Sequence, residues 1–255
     1  MKAVILAGGV GSRLSEETHL RPKPMVEIGG KPILWHIMKH YSHYGISEFI
    51  ICLGYKGFVV KEYFANFLLH NSDFTIDVAS NSLAFHKRSS VDWKVTLVDT
   101  GSDSQTGERL RRVREFVGRE HTFCFTYGDG LTDLNIDQCV DFHSKHGKLA
   151  TMTSVNPSSR YGAIRARNNQ VEWFSEKPAN LEGRVNGGYF VLNKEIFSYI
   201  DDSNVSWEAS VLPKLVSQKQ LMAFEHDGFW HSMDTIRDRN LLEDIWNSGK
   251  ASWKT

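Results

Sequence analysis

A glycine-rich loop close to the N-terminus could bind phosphate. Gly8, Gly9 and Gly11 follow the apolar run at residues 2–6, and Arg13 lies in the same loop. Glycine lets backbone N–H groups approach an anion closely, and a guanidinium adds charge-assisted hydrogen bonds to phosphate oxygens. The loop therefore predicts a phosphate-binding turn, although isolated glycines after a strand also form ordinary turns.

Two common phosphate-binding motifs do not fit this part of the chain. A G-x-G-x-x-G dinucleotide motif that begins at Gly9 requires glycine at position 14, where the chain has Leu14. A Walker A motif that ends at Gly30 and Lys31 fails because Pro32 follows instead of Ser or Thr. An NAD-dependent oxidoreductase is therefore disfavoured.

One lysine and two aspartates also occupy positions that favour ligand binding. Lys23 lies between Pro22 and Pro24, which restrict the backbone and place the ammonium on a stiff segment. Asp129 directly follows an apolar run and lies between two glycines, at the end of a predicted strand, where open α/β sheets bind ligands. Asp234 precedes a predicted helix, so its alternative role is that of a helix N-cap.

The segments around these residues predict an α/β fold. Strands alternate with helices in the first half, which is typical of a parallel sheet covered on both faces. The predicted strands are residues 2–6, 48–53, 94–98 and 122–127, and the predicted helices are residues 33–44, 59–69, 107–117 and 136–146. The second half is richer in mixed or antiparallel strand, with helices at residues 194–200, 208–216 and 236–246. Residues 73–92 are the least periodic, and we expect them to be mobile or to form subunit contacts.

Composition limits the class of protein. The 255 residues carry 30 Lys and Arg against 30 Asp and Glu, which argues against a nucleic-acid or membrane partner. Hydrophobic residues make up 41% of the chain, enough for one large domain over residues 1–255. The apolar start MKAVILAGG fits neither a signal peptide nor a membrane span, so we expect a cytoplasmic protein. Cys52, Cys124 and Cys139 form no CxxC pair and are expected to be reduced and buried.

Three histidines could form a metal-binding face. His36, His40 and His43 fall on one side of the helix predicted at residues 33–44. No carboxylate or cysteine completes a zinc site by spacing, so we expect these imidazoles to form a packed or interfacial face rather than a metal site. Trp230 is likewise expected in the core or in a subunit contact rather than in a ligand site.

Longer motifs connect these candidates. The run LAGGVGSRLSEETHLRPKPMVEIGGKPILWHIM, residues 6–38, contains the glycine loop and Lys23. Further runs are GYKG, KEYFANF, TGERLRRV, YGDGLTDLNI, FSEKP, NGGYFVL and FWHSMDTIRDRNLLEDIWNSGKASW. Together they resemble the sugar-phosphate nucleotidyltransferases over nearly the whole chain. The SEET and RPKPMVEIGGKPILWHIM portions resemble the branch of that family that joins CTP to glucose 1-phosphate.

The resemblance implies a fold and a reaction. The fold is Rossmann-like, with a mixed, mostly parallel sheet flanked by helices and a smaller β-rich sugar-binding portion. Residues 1–135 would bind mainly the nucleotide, and residues 136–255 mainly the sugar phosphate. The reaction would transfer a cytidylyl group from CTP to α-D-glucose 1-phosphate with the help of Mg²⁺, giving CDP-glucose for CDP-deoxysugars of surface polysaccharide such as O-antigen. The resemblance also implies a homo-oligomer such as a hexamer.

The same resemblance assigns roles to individual residues. Asp129 and Asp234 would bind Mg²⁺, and with Arg13 and Lys23 they form the expected catalytic set. The nucleotide-binding residues would be Leu6, Ala7, Gly8, Gly9, Gly11, Ser12, Arg13, Lys23, Ser104, Arg109 and Gly128. The sugar phosphate would contact Glu176, Lys177, Asn186 and Gly187. Tyr127 could be a wall of the site or a core residue of its strand.

Several alternatives stay open at the level of sequence. Residues 179–185 and 207–210 differ from the family pattern near the sugar side, so another sugar 1-phosphate, or another nucleotide such as UTP or dTTP, is an alternative. A glycosyltransferase would also use a metal-bound carboxylate, but it should lack Arg13 and Lys23. A non-catalytic regulatory homologue should have lost these charges, and Arg13, Lys23, Asp129 and Asp234 are all present.

Overall fold

The computed structural model describes residues 1–87, 91–156, 163–175, 183–201 and 203–255. Its strands are β1 (Lys2–Ala7), β2 (Glu27–Ile28), β3 (Lys31–Pro32), β4 (Glu48–Leu53), β5 (Asp73–Asp77), β6 (Ser82–Lys87), β7 (Lys94–Asp99), β8 (Thr122–Tyr127), β9 (Gly130–Thr132), β10 (Ala150–Val155), β11 (Ala163–Arg167), β12 (Gln170–Ser175), β13 (Val185–Asn193), β14 (Leu221–His226) and β15 (Trp230–Ser232). The α-helices are α1 (Ser15–Thr18), α2 (Ile33–His43), α3 (Gly57–Ala65), α4 (Phe67–Asn71), α5 (Thr106–Arg112), α6 (Arg114–Val117), α7 (Ile136–His146), α8 (Leu212–Ser217) and α9 (Ile236–Asn247).

Nine of these strands form one central sheet in the order β10-β14-β12-β11-β13-β8-β1-β4-β7. Strands β8, β1, β4 and β7 run parallel, as do β10 and β14. Strand β13 is antiparallel to its neighbours β8 and β10 and joins the two parallel parts. The structure therefore confirms the predicted mixed, mostly parallel sheet, which is flanked by helices.

Helices cover both faces of the parallel part. Along β1, Ala3 and Ile5 pack into one apolar cluster, whereas Val4 packs into the cluster on the opposite face. The same alternation occurs on β4, where Ile51 and Cys52 belong to different clusters. Because both faces are buried, these strands are continuous apolar runs in the sequence, and their carboxyl ends are left to form the site.

Most predicted elements agree closely with the observed ones, and the differences lie within helices. The helix predicted at residues 59–69 is two helices that meet at Asn66, whose side-chain amide donates to the carbonyl of Glu62 at 3.0 Å. The helix predicted at residues 194–200 is a 3₁₀ helix, Lys194–Tyr199. The one predicted at residues 208–216 begins instead with a π-helical turn, Trp207–Val211, whose N-terminus is capped by Ser206.

The aperiodic stretch at residues 73–92 contains a β-hairpin made by β5 and β6. Phe74 contacts Phe85 across the hairpin, with ring centroids 5.8 Å apart. Ile76, Val78 and Leu83 are exposed by 57%, 86% and 52%. The hairpin therefore presents apolar side chains to solvent, and the predicted subunit contact stays a prediction.

Helix α2 confirms the packed interpretation of the histidines for two of the three. The Nε2 atoms of His36 and His40 lie 2.8 Å from the carbonyls of Ile28 and Leu134. Burial lowers the pKa of both imidazoles, that of His40 to about 4. His43 is exposed.

The three cysteines are buried free thiols, as predicted. Among the helices of the described residues, none has both the length and the apolar character needed to span a lipid bilayer.

Candidate active site

The two predicted metal ligands come together through a small antiparallel pairing outside the main sheet. Strand β9 pairs with β15, so that Gly130 lies opposite Ser232. Next to this pair, the N–H of Met233 donates to the carbonyl of Asp129 at 2.9 Å. The residues that follow β8 and β15 therefore lie side by side, and the carboxylates of Asp129 and Asp234 share one site.

Lys23 lies between the two carboxylates. Its Nζ is 2.6 Å from Oδ2 of Asp129 and 2.6 Å from Oδ1 of Asp234. Burial disfavours the charged ammonium, but the two aspartates outweigh burial and raise the pKa of Lys23. Residues 23–25 form a 3₁₀ turn after Pro22, so the stiff segment predicted from the sequence positions this lysine.

Arg13 completes a cluster of four charges. Its guanidinium binds Asp234 with both terminal nitrogens, each 3.2 Å from a carboxylate oxygen. The side chain of Arg13 is 59% exposed, whereas that of Asp234 is 4% exposed. The predicted catalytic residues are therefore in direct contact, with Arg13 on the open side.

The alternative role of Asp234 as a helix cap is wrong. The N-cap of α9 is Thr235, whose hydroxyl accepts from the N–H of Asp238, while the Asp238 carboxylate accepts from the N–H of Thr235. This reciprocal capping box occupies the first turn of α9. The side chain of Asp234 is consequently available to Lys23 and Arg13.

The glycine loop is held by the buried guanidinium of Arg109. Its nitrogens donate to the carbonyls of Gly8 and Leu53, both at 3.0 Å, and of Gly101 at 2.8 Å. A Cβ added to Gly8 would lie 2.1 Å from Nη1 of Arg109, so only glycine fits there. Arg109 thus ties together the carboxyl ends of β1, β4 and β7, a structural role that the sequence did not indicate. Its predicted contact with the nucleotide stays a prediction.

Two adjoining cavities open on this cluster. One cavity is lined by the glycine loop and by the segment before α5, and we name it the nucleotide-side cavity after the nucleotide contacts predicted there. Its lining residues include Leu6, Ala7, Gly8, Gly9, Gly11, Lys23, Ser104, Arg109 and Gly128. The other cavity is lined by Asn186, Gly187 and Trp230, among others, and we name it the sugar-side cavity after the sugar-phosphate contacts predicted there. Arg13, Tyr127, Asp129 and Glu208 line both cavities. The reacting ends of two ligands could therefore meet at the charged cluster.

The sequence did not identify Glu208 at the junction of the cavities. One of its carboxylate oxygens accepts from the hydroxyl of Tyr127 at 2.5 Å. The other accepts from the hydroxyls of Thr106 at 2.6 Å and Ser206 at 2.8 Å. Tyr127 is accordingly a wall of the site as well as a neighbour of the core. Glu208 lies in the π-helical turn, and such turns are frequent at functional sites. The sequence placed residues 207–210 near the sugar side but did not single out Glu208.

Two of the four residues predicted to contact the sugar phosphate, Asn186 and Gly187, line the sugar-side cavity. Asn186 is buried, and its Oδ1 accepts from the N–H of Gly188 at 2.8 Å. The carbonyl of Gly187 accepts from the indole N–H of Trp230 at 2.7 Å, which holds Trp230 in the cavity wall. Trp230 is therefore partly buried in a cavity wall rather than in the core, and whether that wall contacts a ligand stays untested. Glu176 and Lys177 lie outside the described residues, and so does the side chain of Ser12.

The chain is similar in sequence to known proteins over most of its length. The nucleotidyl transferase family model matches residues 2–239. The chain is 57% identical over 255 residues to a glucose-1-phosphate cytidylyltransferase of Salmonella typhimurium, covering 100% of this chain and 99% of that protein.

Solved structures support the fold. The structure of HddC from Yersinia pseudotuberculosis superimposes with a TM-score of 0.76 at 23% identity, covering 96% of this chain and 99% of that one. A UDP-glucose pyrophosphorylase complexed with UDP-glucose gives a TM-score of 0.76 at 16% identity, covering 97% and 98% of the two chains.

Proposed function

The chain belongs to the nucleotidyl transferase family, and we propose that it transfers the cytidylyl group of CTP to α-D-glucose 1-phosphate, giving CDP-glucose and pyrophosphate. The observation that carries this proposal is the cluster of Arg13, Lys23, Asp129 and Asp234 where the two cavities meet. The full-length identity to the Salmonella cytidylyltransferase supports the choice of CTP and glucose 1-phosphate over UTP, dTTP or another sugar.

The reaction is a displacement at phosphorus. A phosphate oxygen of glucose 1-phosphate attacks the α-phosphorus of CTP and forms a new P–O bond. The bond from that phosphorus to the bridging oxygen breaks, and pyrophosphate leaves with the electron pair. Nothing is oxidised or reduced, so the protein has mainly to align the two phosphates and balance their charge.

The residues of the nucleotide-side cavity would hold CTP. The backbone of the loop at Gly8, Gly9 and Gly11 would receive the triphosphate, and Arg109 fixes the loop conformation through the carbonyl of Gly8. Ser104 and Gly128 line the same cavity. A Cβ at Gly128 would lie 2.5 Å from the carbonyl of Leu6, so glycine permits β1 and β8 to lie this close at their ends.

The sugar-side cavity would hold glucose 1-phosphate. Asn186 and the backbone of Gly187 offer polar groups, and Trp230 offers an aromatic surface. Glu176 and Lys177 would add a carboxylate for sugar hydroxyls and an ammonium for the phosphate. Arg13 and Lys23 would stabilise the charge that develops on the transferring phosphoryl group.

The donor set at the junction fits a magnesium ion. Asp129 and Asp234 converge on a single cation, since one ammonium contacts an oxygen of each at 2.6 Å. Mg²⁺ typically binds one or two carboxylates together with substrate phosphates, and the described residues form no denser group of possible ligands. Asp129 and Asp234 would hold the ion, which when bound would neutralise phosphate charge and polarise the reacting phosphorus.

The proposal includes an assembly and a cellular setting. The exposed apolar residues of the β5–β6 hairpin are the candidate contacts of a homo-oligomer such as a hexamer. The protein would act in the cytoplasm, where its product would supply CDP-deoxysugars for a surface polysaccharide such as O-antigen.

The test is release of pyrophosphate from glucose 1-phosphate with each of CTP, UTP, dTTP, ATP and GTP. We expect release with CTP to exceed release with the others, to require Mg²⁺ and to stop when a chelator is added. Preference for another nucleotide would overturn the choice of CTP. No release with any of the five would contradict the proposed reaction with glucose 1-phosphate.

A further inference from the structure

The ammonium of Lys23 occupies the place between two carboxylates where a bound cation would lie. It contacts one oxygen of Asp129 and one of Asp234, each at 2.6 Å, and its side chain is only 11% exposed. The backbone at Lys23 is fixed between two prolines in the 3₁₀ turn. The fold therefore fixes the backbone from which the ammonium reaches the two carboxylates.

The charges of this cluster balance without a metal. Asp129 and Asp234 contribute two negative charges, and Lys23 and Arg13 contribute two positive ones through ion pairs of 2.6 to 3.2 Å. A divalent cation that entered beside Lys23 would meet no net negative charge, and at short range it would repel the ammonium. Either the ammonium or the divalent cation can occupy the space between the aspartates.

Resting on the proposed function, we infer that Lys23 keeps divalent cations out of the nucleotide-free protein and leaves the two aspartates when phosphate oxygens arrive. Lysine has a flexible four-carbon stem, so its ammonium can move while the backbone stays fixed. The side chain also lines the nucleotide-side cavity beside Gly9 and Gly11, which is where the triphosphate is proposed to lie. The phosphates would accept the ammonium as the metal replaces it between Asp129 and Asp234.

Binding of Mn²⁺ alone to the nucleotide-free protein tests this inference. Mn²⁺ stands in for Mg²⁺, and the unbound ion is measured by electron paramagnetic resonance, so the readout does not depend on activity. We expect Lys23→Met to bind Mn²⁺ about tenfold more tightly than the unmodified protein, because the buried carboxylate of Asp234 and the partly buried one of Asp129 lose the ammonium that they share. Lys23→Arg keeps a positive charge and should bind Mn²⁺ as weakly as the unmodified protein.

Two further variants identify the site that is measured. Lys31→Met removes a lysine whose ammonium contacts Asn71, and Mn²⁺ binding should not change. The double variant Lys23→Met with Asp129→Asn should lose the gained affinity. Thermal unfolding of each variant shows whether it is folded, and Lys23→Gln replaces Lys23→Met if the latter is not.

The inference is overturned if the unmodified protein and Lys23→Met or Lys23→Gln bind Mn²⁺ equally. It is also overturned if the nucleotide-free unmodified protein binds Mn²⁺ tightly at Asp129. Failure of the proposed function would show separately as absence of pyrophosphate release by the unmodified protein. A tenfold Mn²⁺ difference without pyrophosphate release would leave the role of Lys23 standing and remove the transfer reaction.

Discussion

The N–H of Met233 donates to the carbonyl of Asp129 at 2.9 Å. This bond extends the short pairing of β9 with β15, and it fixes the backbone on both sides of the charged cluster. Asp234, the next residue, consequently faces the same cation as Asp129. The backbone therefore positions the two acidic groups, so that conservative changes of their side chains should alter the chemistry and leave the fold intact.

Asp129→Asn and Asp234→Asn should each abolish most of the activity. Each change keeps the shape of the side chain but removes one of two charges that converge on Lys23 and on the proposed metal. Loss of one such electrostatic contribution typically lowers kcat by about 100-fold or more. Pyrophosphate release with saturating CTP and glucose 1-phosphate measures the effect.

The matched control is Asp137→Asn, an exposed aspartate in the first turn of α7. It should change kcat by less than about twofold, because surface substitutions away from special features have small effects. Normal activity of either site variant would exclude its carboxylate from the reaction.

Gly8→Ala should lower the stability of the protein, whereas Gly9→Ala should leave stability almost unchanged and weaken the binding of CTP. A Cβ at Gly8 would lie 2.1 Å from Nη1 of buried Arg109, so we expect a loss of about 1–3 kcal/mol in the free energy of unfolding. A Cβ at Gly9 meets nothing within 4 Å, so the free energy of unfolding of Gly9→Ala should differ from that of the unmodified protein by no more than about 0.5 kcal/mol. Urea denaturation measures both.

Gly9 nevertheless lines the nucleotide-side cavity. If the loop binds the triphosphate, Gly9→Ala should raise the KM for CTP more than the KM for glucose 1-phosphate. An unchanged KM for CTP in a folded Gly9→Ala protein would remove Gly9 from the proposed binding loop.

The parts of the fold that could be predicted are those with strong local signals. Strand β4 and helix α7 have the predicted bounds, because buried apolar runs and periodic faces end at turn residues. The N-cap of α9 also has a local signal, since Thr235 followed by Asp238 resembles the capping-box pattern. This pattern argues against the alternative role of Asp234 as the cap and leaves its side chain for the site.

The role of Glu208 could not be predicted in this way. Its partners Tyr127 and Thr106 come from distant parts of the chain, and only the folded sheet brings them together. The structural role of Arg109 has the same origin, since its carbonyl partners lie at the ends of three different strands, β1, β4 and β7. Local sequence patterns do not specify contacts of this kind.

Glu208→Ala should affect both stability and substrate binding. The change removes the acceptor of three hydroxyls, those of Tyr127, Thr106 and Ser206, and an unsatisfied donor costs about 1–3 kcal/mol if it finds no water. Because Glu208 lines both cavities, KM should rise for CTP and for glucose 1-phosphate. Glu208→Gln retains one acceptor oxygen and should recover part of the loss.

The comparison for Glu208 is Glu195→Ala, which removes an exposed carboxylate of the 3₁₀ helix Lys194–Tyr199. We expect Glu195→Ala to have the same unfolding temperature and the same two KM values as the unmodified protein. Thermal unfolding and steady-state kinetics, with each substrate varied in turn, measure these quantities. Glu208→Ala with both KM values unchanged would show that Glu208 has no part in shaping the cavities.

Acid should destabilise the protein partly through His40. Burial lowers the pKa of this imidazole to about 4, so between pH 6.5 and pH 4 the unfolded chain binds a proton that the folded chain does not. Stability due to His40 is therefore present at neutral pH and falls by about 2 kcal/mol as the pH decreases from 7 to 5. His40→Gln can keep the donor to the carbonyl of Leu134 and does not titrate. Between pH 7 and pH 5 it should therefore lose about 2 kcal/mol less free energy of unfolding than the unmodified protein. Urea denaturation at each pH measures the difference. The control is His43→Gln, which changes an exposed histidine on α2 and should retain the pH dependence of the unmodified protein. If the free energy of unfolding falls equally with pH in all three proteins, the protonation of His40 does not limit stability in acid.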